Sequence, residues 1–191
     1  MGLPAAALIA VVITLGRRLG FRTAAWAGQH TAVRTVVCAT AVGGCAAAYA
    51  LLTGRSPGEA ALSGQDALGR LAADPHAWSM AALITLVLCK GLAWGIALGS
   101  LRGGPVFPAV LIGAAVAMAC SGLPGFGATP ALAVGASAAT AAISGLPLTG
   151  AVLAVLLMGA DAHHQMPLIV AGSVVAFIVT QLVNRPVRTA D

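Results

Sequence analysis

Residues 103–160 read GGPVFPAVLIGAAVAMACSGLPGFGATPALAVGASAATAAISGLPLTGAVLAVLLMGA, without one Asp, Glu, Lys or Arg. The run is far too apolar for a soluble loop, yet it is not one helix. It breaks at Gly103-Gly104-Pro105, at Gly122-Leu123-Pro124-Gly125 and at Ser144-Gly145-Leu146-Pro147. Proline has no N–H to give and clashes with the preceding turn, and glycine is a poor helix former, so each of these points ends a helix. The segments between them predict helices only about 20 Å long at a rise of 1.5 Å per residue. A hydrocarbon core about 30 Å thick needs more. These are half-helices, and they can stop at membrane depth only where protein or a watery cavity satisfies the exposed backbone. Small residues fill the intervals, as in Gly113-Ala114-Ala115 and from Gly135 to Ala142, which lets helices approach closely.

Outward from this region the chain supplies full-length spans. Met166 to Asn184 is uncharged and forms the last one, Ala77 to Leu101 precedes the broken region, and Thr35 to Gly54 lies before that. Leu3 to Leu15 reads as the tail of a membrane helix that begins further upstream. Arg17, Arg18, Arg22 and Arg34 fall in a first polar loop, and Arg185 and Arg188 follow the last span. Positive charge of this kind marks the cytoplasmic side. The polar stretch from about 55 to 76 is mildly acidic and belongs on the opposite face, with Ala60, Leu62, Leu68 and Leu71 predicting short interfacial helices.

Over 191 residues, 59% are hydrophobic and 8% charged, against roughly a quarter charged in a soluble domain. The fold class is therefore an all-α membrane protein of tilted and broken transmembrane helices, a single transmembrane domain over residues 1–191. It is expected to be an integral, multi-pass protein of the plasma (inner) membrane with its C-terminus in the cytoplasm. The net charge of +5 does not point to nucleic acid, because no aromatic residues interleave with the arginines to stack bases.

Little in the sequence points to catalysis. Cys38, Cys45, Cys89 and Cys120 lie inside apolar runs without CxxC spacing and read as small buried hydrophobes. Asp161, His163 and His164 form one polar cluster between two apolar runs, which reads as a solvated interfacial loop; adjacent residues on a helix share no face, and no metal or other cofactor is expected. No nucleophile set, phosphate loop or paired carboxylate is present, so the chain is not expected to be an enzyme. Lys90, in mid-span, is read as a structural cation bonded to helix-end carbonyls, with a place on an ion path as the other reading.

The breaks themselves permit chemistry. A helix N-terminus presents unpaired N–H groups and about half a positive charge, so it binds an anion without a charged side chain. The leading candidate is Gly103-Gly104-Pro105-Val106-Phe107-Pro108. Gly103 and Gly104 allow close backbone approach, Pro105 suits the first helical position, and Pro105 and Pro108 have no N–H. The free donors are then Val106 and Phe107. A second helix start is expected at Pro147, with Thr149 capping it or bonding back to the backbone.

These blocks carry a resemblance. Leu98-Gly99-Ser100-x-Arg102-Gly103-Gly104-Pro105-Val106-Phe107-Pro108-Ala109, followed by Pro147-Leu148-Thr149-Gly150, resembles the C-terminal half of the CLC chloride channels and proton-coupled chloride antiporters. The first block is similar to the family's Gly-x-Phe-x-Pro anion signature and the second to its Pro-Leu-Thr helix start; Lys90 sits where many bacterial members have a lysine. The resemblance implies one half of an inverted repeat, a homodimer with one anion path per subunit, and chloride as the ligand. On this pattern the anion-binding positions are Gly104, Val106 and Phe107, supported by the helix breaks at Gly103, Pro105, Pro108, Pro147 and Thr149. The partners implied are a small anion, the lipid bilayer, and a second copy or a separate N-terminal half. Several positions depart from the pattern: the aromatic comes one residue late, at Phe107; the family's late tyrosine aligns with Arg188; and a glutamate after Pro-Leu-Thr is Leu156. The serine signature and the Gly-Arg-Glu-Gly-Pro signature with its gating glutamate are not in these residues, so proton coupling is not expected of this chain alone. The other expectation is a non-conducting remnant or a split subunit.

Overall fold

A computed structural model describes residues 2–28, 31–101, 103–122 and 126–184. Among the described residues there is no strand; in chain order the helices are α1 (Gly2–Ala27), α2 (Thr31–Thr53), α3 (Gly58–Ala61), α4 (Gln65–Ala73), α5 (Met80–Ser100), α6 (Val106–Ala119), α7 (Ala128–Ser144), α8 (Pro147–Met158) and α9 (Ala162–Asn184). Short 3-10 turns, Pro75–Ala77 and Gly159–Asp161, precede α5 and α9. Four stretches are long and apolar enough to cross a membrane: Gly2–Ala27, Ala32–Thr53, Met80–Ser100 and Pro147–Asn184, the last formed by α8 and α9 together. By contrast α6, α7 and α8 have 14, 17 and 12 residues, or roughly 21, 26 and 18 Å. The half-helices expected from the glycine and proline breaks are therefore present.

Two expectations need correction. Arg17, Arg18 and Arg22 do not form a loop: α1 continues through them to Ala27, so Leu3 to Leu15 and the three arginines belong to one helix. Arginine is a good helix former, and these side chains find partners on other helices. Arg17 Nη1 donates to the Ala142 carbonyl at 3.3 Å, and Arg18 donates to the Val183 carbonyl. Those carbonyls lie in the last turns of α7 and α9, where orphan C=O groups and the negative end of the helix dipole favour a cation. Arg34 lies in the first turn of α2 and donates to the Trp26 carbonyl. Secondly, Asp161, His163 and His164 are helical, in the second 3-10 turn and the first turn of α9, because Gly159, at φ +57, reverses the chain abruptly enough for α9 to start at once.

The arginine contacts fix helix direction. The C-terminal ends of α7 and α9 share one face of the bundle, the arginine face, with the second half of α1. Crossing α1 against α5 relies on small residues on both: Gly16 and Gly20 face Gly95 and Gly99. A Cβ on Gly99 would stand 2.2 Å from the Gly20 carbonyl oxygen and 2.5 Å from Thr23 Oγ1. The C-terminal half of α5 is thereby held at the arginine face. At the centre, α7 packs against α1, α6, α8 and α9, and every residue from Ala133 to Ala142 is buried.

Candidate functional site

The first break folds as the sequence predicts, with one shift. Pro105 stands just before α6, at φ −81 and ψ −27, and Val106 is the first helical residue. No side chain caps this end, and among the described residues neither Val106 nor Phe107 donates its N–H to a backbone carbonyl outside the helix. Pro108 has no N–H to offer. The two predicted donors are thus the open amides of α6. Gly103 and Gly104 are exposed, and a Cβ on either would meet nothing within 4 Å.

This turn borders a cavity of about 490 Å³ whose other walls are Ala60 to Ser63, at the end of α3, and Lys90, Trp94, Ala97 and Leu98 on α5. Lys90 is the one charged wall residue described. Its side chain is 1% exposed, and Nζ donates to the Glu59 carbonyl at 3.1 Å and to the Leu62 carbonyl. These are end carbonyls of α3, so Lys90 has the structural partners expected of it. It also ties α3 to the middle of α5.

Glu59, in the mildly acidic stretch, is 3% exposed. Its Oε2 accepts from Tyr49 Oη at 2.6 Å and from Arg55 Nε at 3.0 Å, and Arg70 Nη2 lies 3.7 Å from Oε1. Arg55 also lies over the Trp78 ring, 3.6 Å from its centroid. A buried carboxylate held by this many partners fixes the loop that presents α3 to Lys90. The i,i+4 spacing of Arg55 and Glu59 and the only tyrosine of the chain were the signals for it.

The second break is present but separate. Gly145, in the left-handed region at φ +73, ends α7 with its N–H on the Ala141 carbonyl at 2.9 Å, and Pro147 opens α8. Ser144 Oγ accepts from the Leu146 N–H at 3.2 Å and donates to the Thr140 carbonyl at 2.7 Å. Thr149 is exposed, and no side chain caps the start of α8. Neither Pro147 nor Thr149 reaches the cavity at Val106.

A second cavity, of about 450 Å³, lies between α4, the start of α7 and the end of α8. Its walls include Gly69, Thr129, Met158, Asp161 and Phe107. His163 and His164 are exposed on α9 and line neither cavity. No group of three or more metal-ligating side chains occurs among the described residues. Arg102, Leu123-Pro124-Gly125, Arg185, Pro186 and Arg188 lie outside the described residues.

Among known proteins, the family model for the voltage gated chloride channel matches residues 1–181. No curated protein and no solved structure gives a significant match.

Proposed function

The chain belongs to the voltage gated chloride channel family, and from that we propose that it forms one wall of a chloride path in which the backbone N–H groups of Val106 and Phe107 hold the ion. The observation that carries the reading is the uncapped start of α6 opening on the same cavity as Lys90. Two amides at the positive end of a helix replace part of the hydration shell of a small anion, and Gly103 and Gly104 leave it room to approach. Lys90, already held by two carbonyls, adds positive potential without leaving its place. Such a site is firm enough for entry and weak enough for release, as conduction requires.

In this reading the residues supply the half of the inverted repeat that carries the Gly-x-Phe-x-Pro-like turn. A second copy, as a homodimer, or a separate N-terminal half supplies the remaining wall. The arginine face and the C-terminus lie in the cytoplasm of a cell whose plasma (inner) membrane holds the protein.

The test is chloride efflux from liposomes containing the chain, with an ionophore clamping the voltage. Replacing the Pro105–Val106 peptide bond by an ester deletes the Val106 donor alone. A hydrogen bond to a charged group contributes about 1.5–3 kcal/mol, so chloride binding is expected to weaken about tenfold or more. Binding unchanged by the ester would reject the site. A second reading, a non-conducting remnant or split subunit, draws support from the missing serine and glutamate signatures. It predicts a folded, inserted chain without efflux, with flux restored in the split case by the companion half.

A further inference from the structure

We propose that the indole N–H of Trp94 is a third donor to the anion, reaching it from α5 across the cavity from the open start of α6. The proposal rests on the reading of that cavity as the chloride site, and it adds a residue on a different helix from the two amides.

Trp94 is 6% exposed, and its Nε1 is buried without a hydrogen-bond partner among the described residues. An indole nitrogen can only donate, and a buried donor left unmet costs the full desolvation of the group. Thr140 and Thr180 share that condition. A threonine hydroxyl on a helix can turn back to the carbonyl one turn earlier; a rigid ring has no such recourse. Neither threonine borders a large cavity, whereas Trp94 is in the wall of the first.

The setting of the ring fixes the direction of its nitrogen. Gly16 on α1 leaves room for the benzo edge: a Cβ there would stand 2.5 Å from Trp94 Cζ3 and 2.9 Å from Cε3. Nε1 is on the opposite edge of the ring system. It therefore points away from α1, into the space that α5 shares with the end of α3 and the start of α6. Lys90, four residues earlier, is on the same face of α5, and its Nζ engages two of its three N–H groups with the Glu59 and Leu62 carbonyls. The described wall holds a cation, a neutral ring donor and no Asp or Glu.

That donor set suits a small monovalent anion. A hydrogen bond to an ion is stronger than one between neutral groups. With α6 donating from one wall and Trp94 from another, the ion exchanges water for fixed donors on two sides. The indole, in turn, gains the acceptor that the protein does not give it.

The test is NMR of the full chain in detergent, isotope-labelled at the indole nitrogens, with sodium chloride replacing sodium gluconate at constant ionic strength. The three tryptophans give three indole N–H cross-peaks; Trp26→Phe and Trp78→Phe assign two, leaving the third to Trp94. The Trp94 peak is expected to move downfield and saturate with chloride while the others stay. Trp94→Phe keeps a ring against Gly16 and deletes the donor, and is expected to weaken chloride binding about tenfold or more. If that variant does not fold, the titration of the unaltered chain decides. A Trp94 peak indifferent to chloride, or one that drifts only in step with the other two, would overturn the proposal. Saturable movement of the Trp94 peak, with chloride binding unchanged by the ester at Val106, would keep the Trp94 donor and remove the amide reading. Binding weakened by the ester while the Trp94 peak stays still would do the reverse.

Discussion

Lys90 shows how a single residue can satisfy a constraint set far away in the chain. An ammonium at the centre of a span costs several kcal/mol unless it is paired, and its partners are carbonyls 31 and 28 residues earlier. The sequence made a carbonyl partner the expected one but could not say which carbonyls, because nothing local links Lys90 to α3. Lys90→Met strands the Glu59 and Leu62 carbonyls, at about 1–3 kcal/mol for each unsatisfied group. Its thermal midpoint in detergent is expected to fall, and chloride efflux with it. Glu59→Gln tests the other side of the cluster: Arg55 and Arg70, with side chains 25% and 56% exposed, lose their charge partner but keep water, so the expected loss is that of a charge-assisted hydrogen bond, about 1.5–3 kcal/mol. At the turn proposed to hold the anion, the two open amides were readable from the missing N–H groups of Pro105 and Pro108. The backbone angle of Pro105 was not. A proline at 106 would delete the donor, but the residue before a proline avoids the α region, where Pro105 sits at ψ −27. The ester avoids that strain.

Elements declare their ends in the sequence more clearly than their continuity. The starts of α6 and α8 follow from local chemistry, a proline with glycine just before it, and both fall within a residue of where the sequence puts them. The passage of α1 through three arginines was hidden, because the carbonyls that accept Arg17 and Arg18 are 125 and 165 residues away. Charge looked like a loop when it was a clasp on two other helices. The α1–α5 crossing was also available as glycines spaced by four on both helices, Gly16 with Gly20 and Gly95 with Gly99. Gly99→Val drives a side chain into the Gly20 carbonyl, and since a backbone atom cannot yield, the loss is expected at or above the about 1–3 kcal/mol of ordinary overpacking. Gly103→Ala, with open space around it, is expected to be neutral. Comparing the two thermal midpoints in detergent checks the crossing.

For the whole molecule, composition was enough to read a membrane-spanning all-α domain, and the order of spans and breaks was enough to read broken helices around a polar centre. What composition could not convey was which breaks meet. The turn at Val106 shares its cavity with Lys90 and the end of α3, while the start of α8 stands apart. On the proposed orientation, with the arginine face in the cytoplasm, alkaline phosphatase fused after Ala73 is expected to be active outside the cytoplasm, and the same reporter fused after Asn184 to be inactive. Activity at Asn184 would reverse the orientation.

The enclosure of α7 also bears on how the protein is made. A helix of 17 residues, eight of them alanine, with four others around it, has almost no surface to offer lipid. As it leaves the ribosome, α9 does not yet exist, and the environment that will surround it is half built. Such a segment is poorly suited to entering the bilayer alone and is better carried in beside α6, waiting at the translocon until α9 closes over it. The least conspicuous helix of the bundle would then be the one that sets the tempo of its biogenesis.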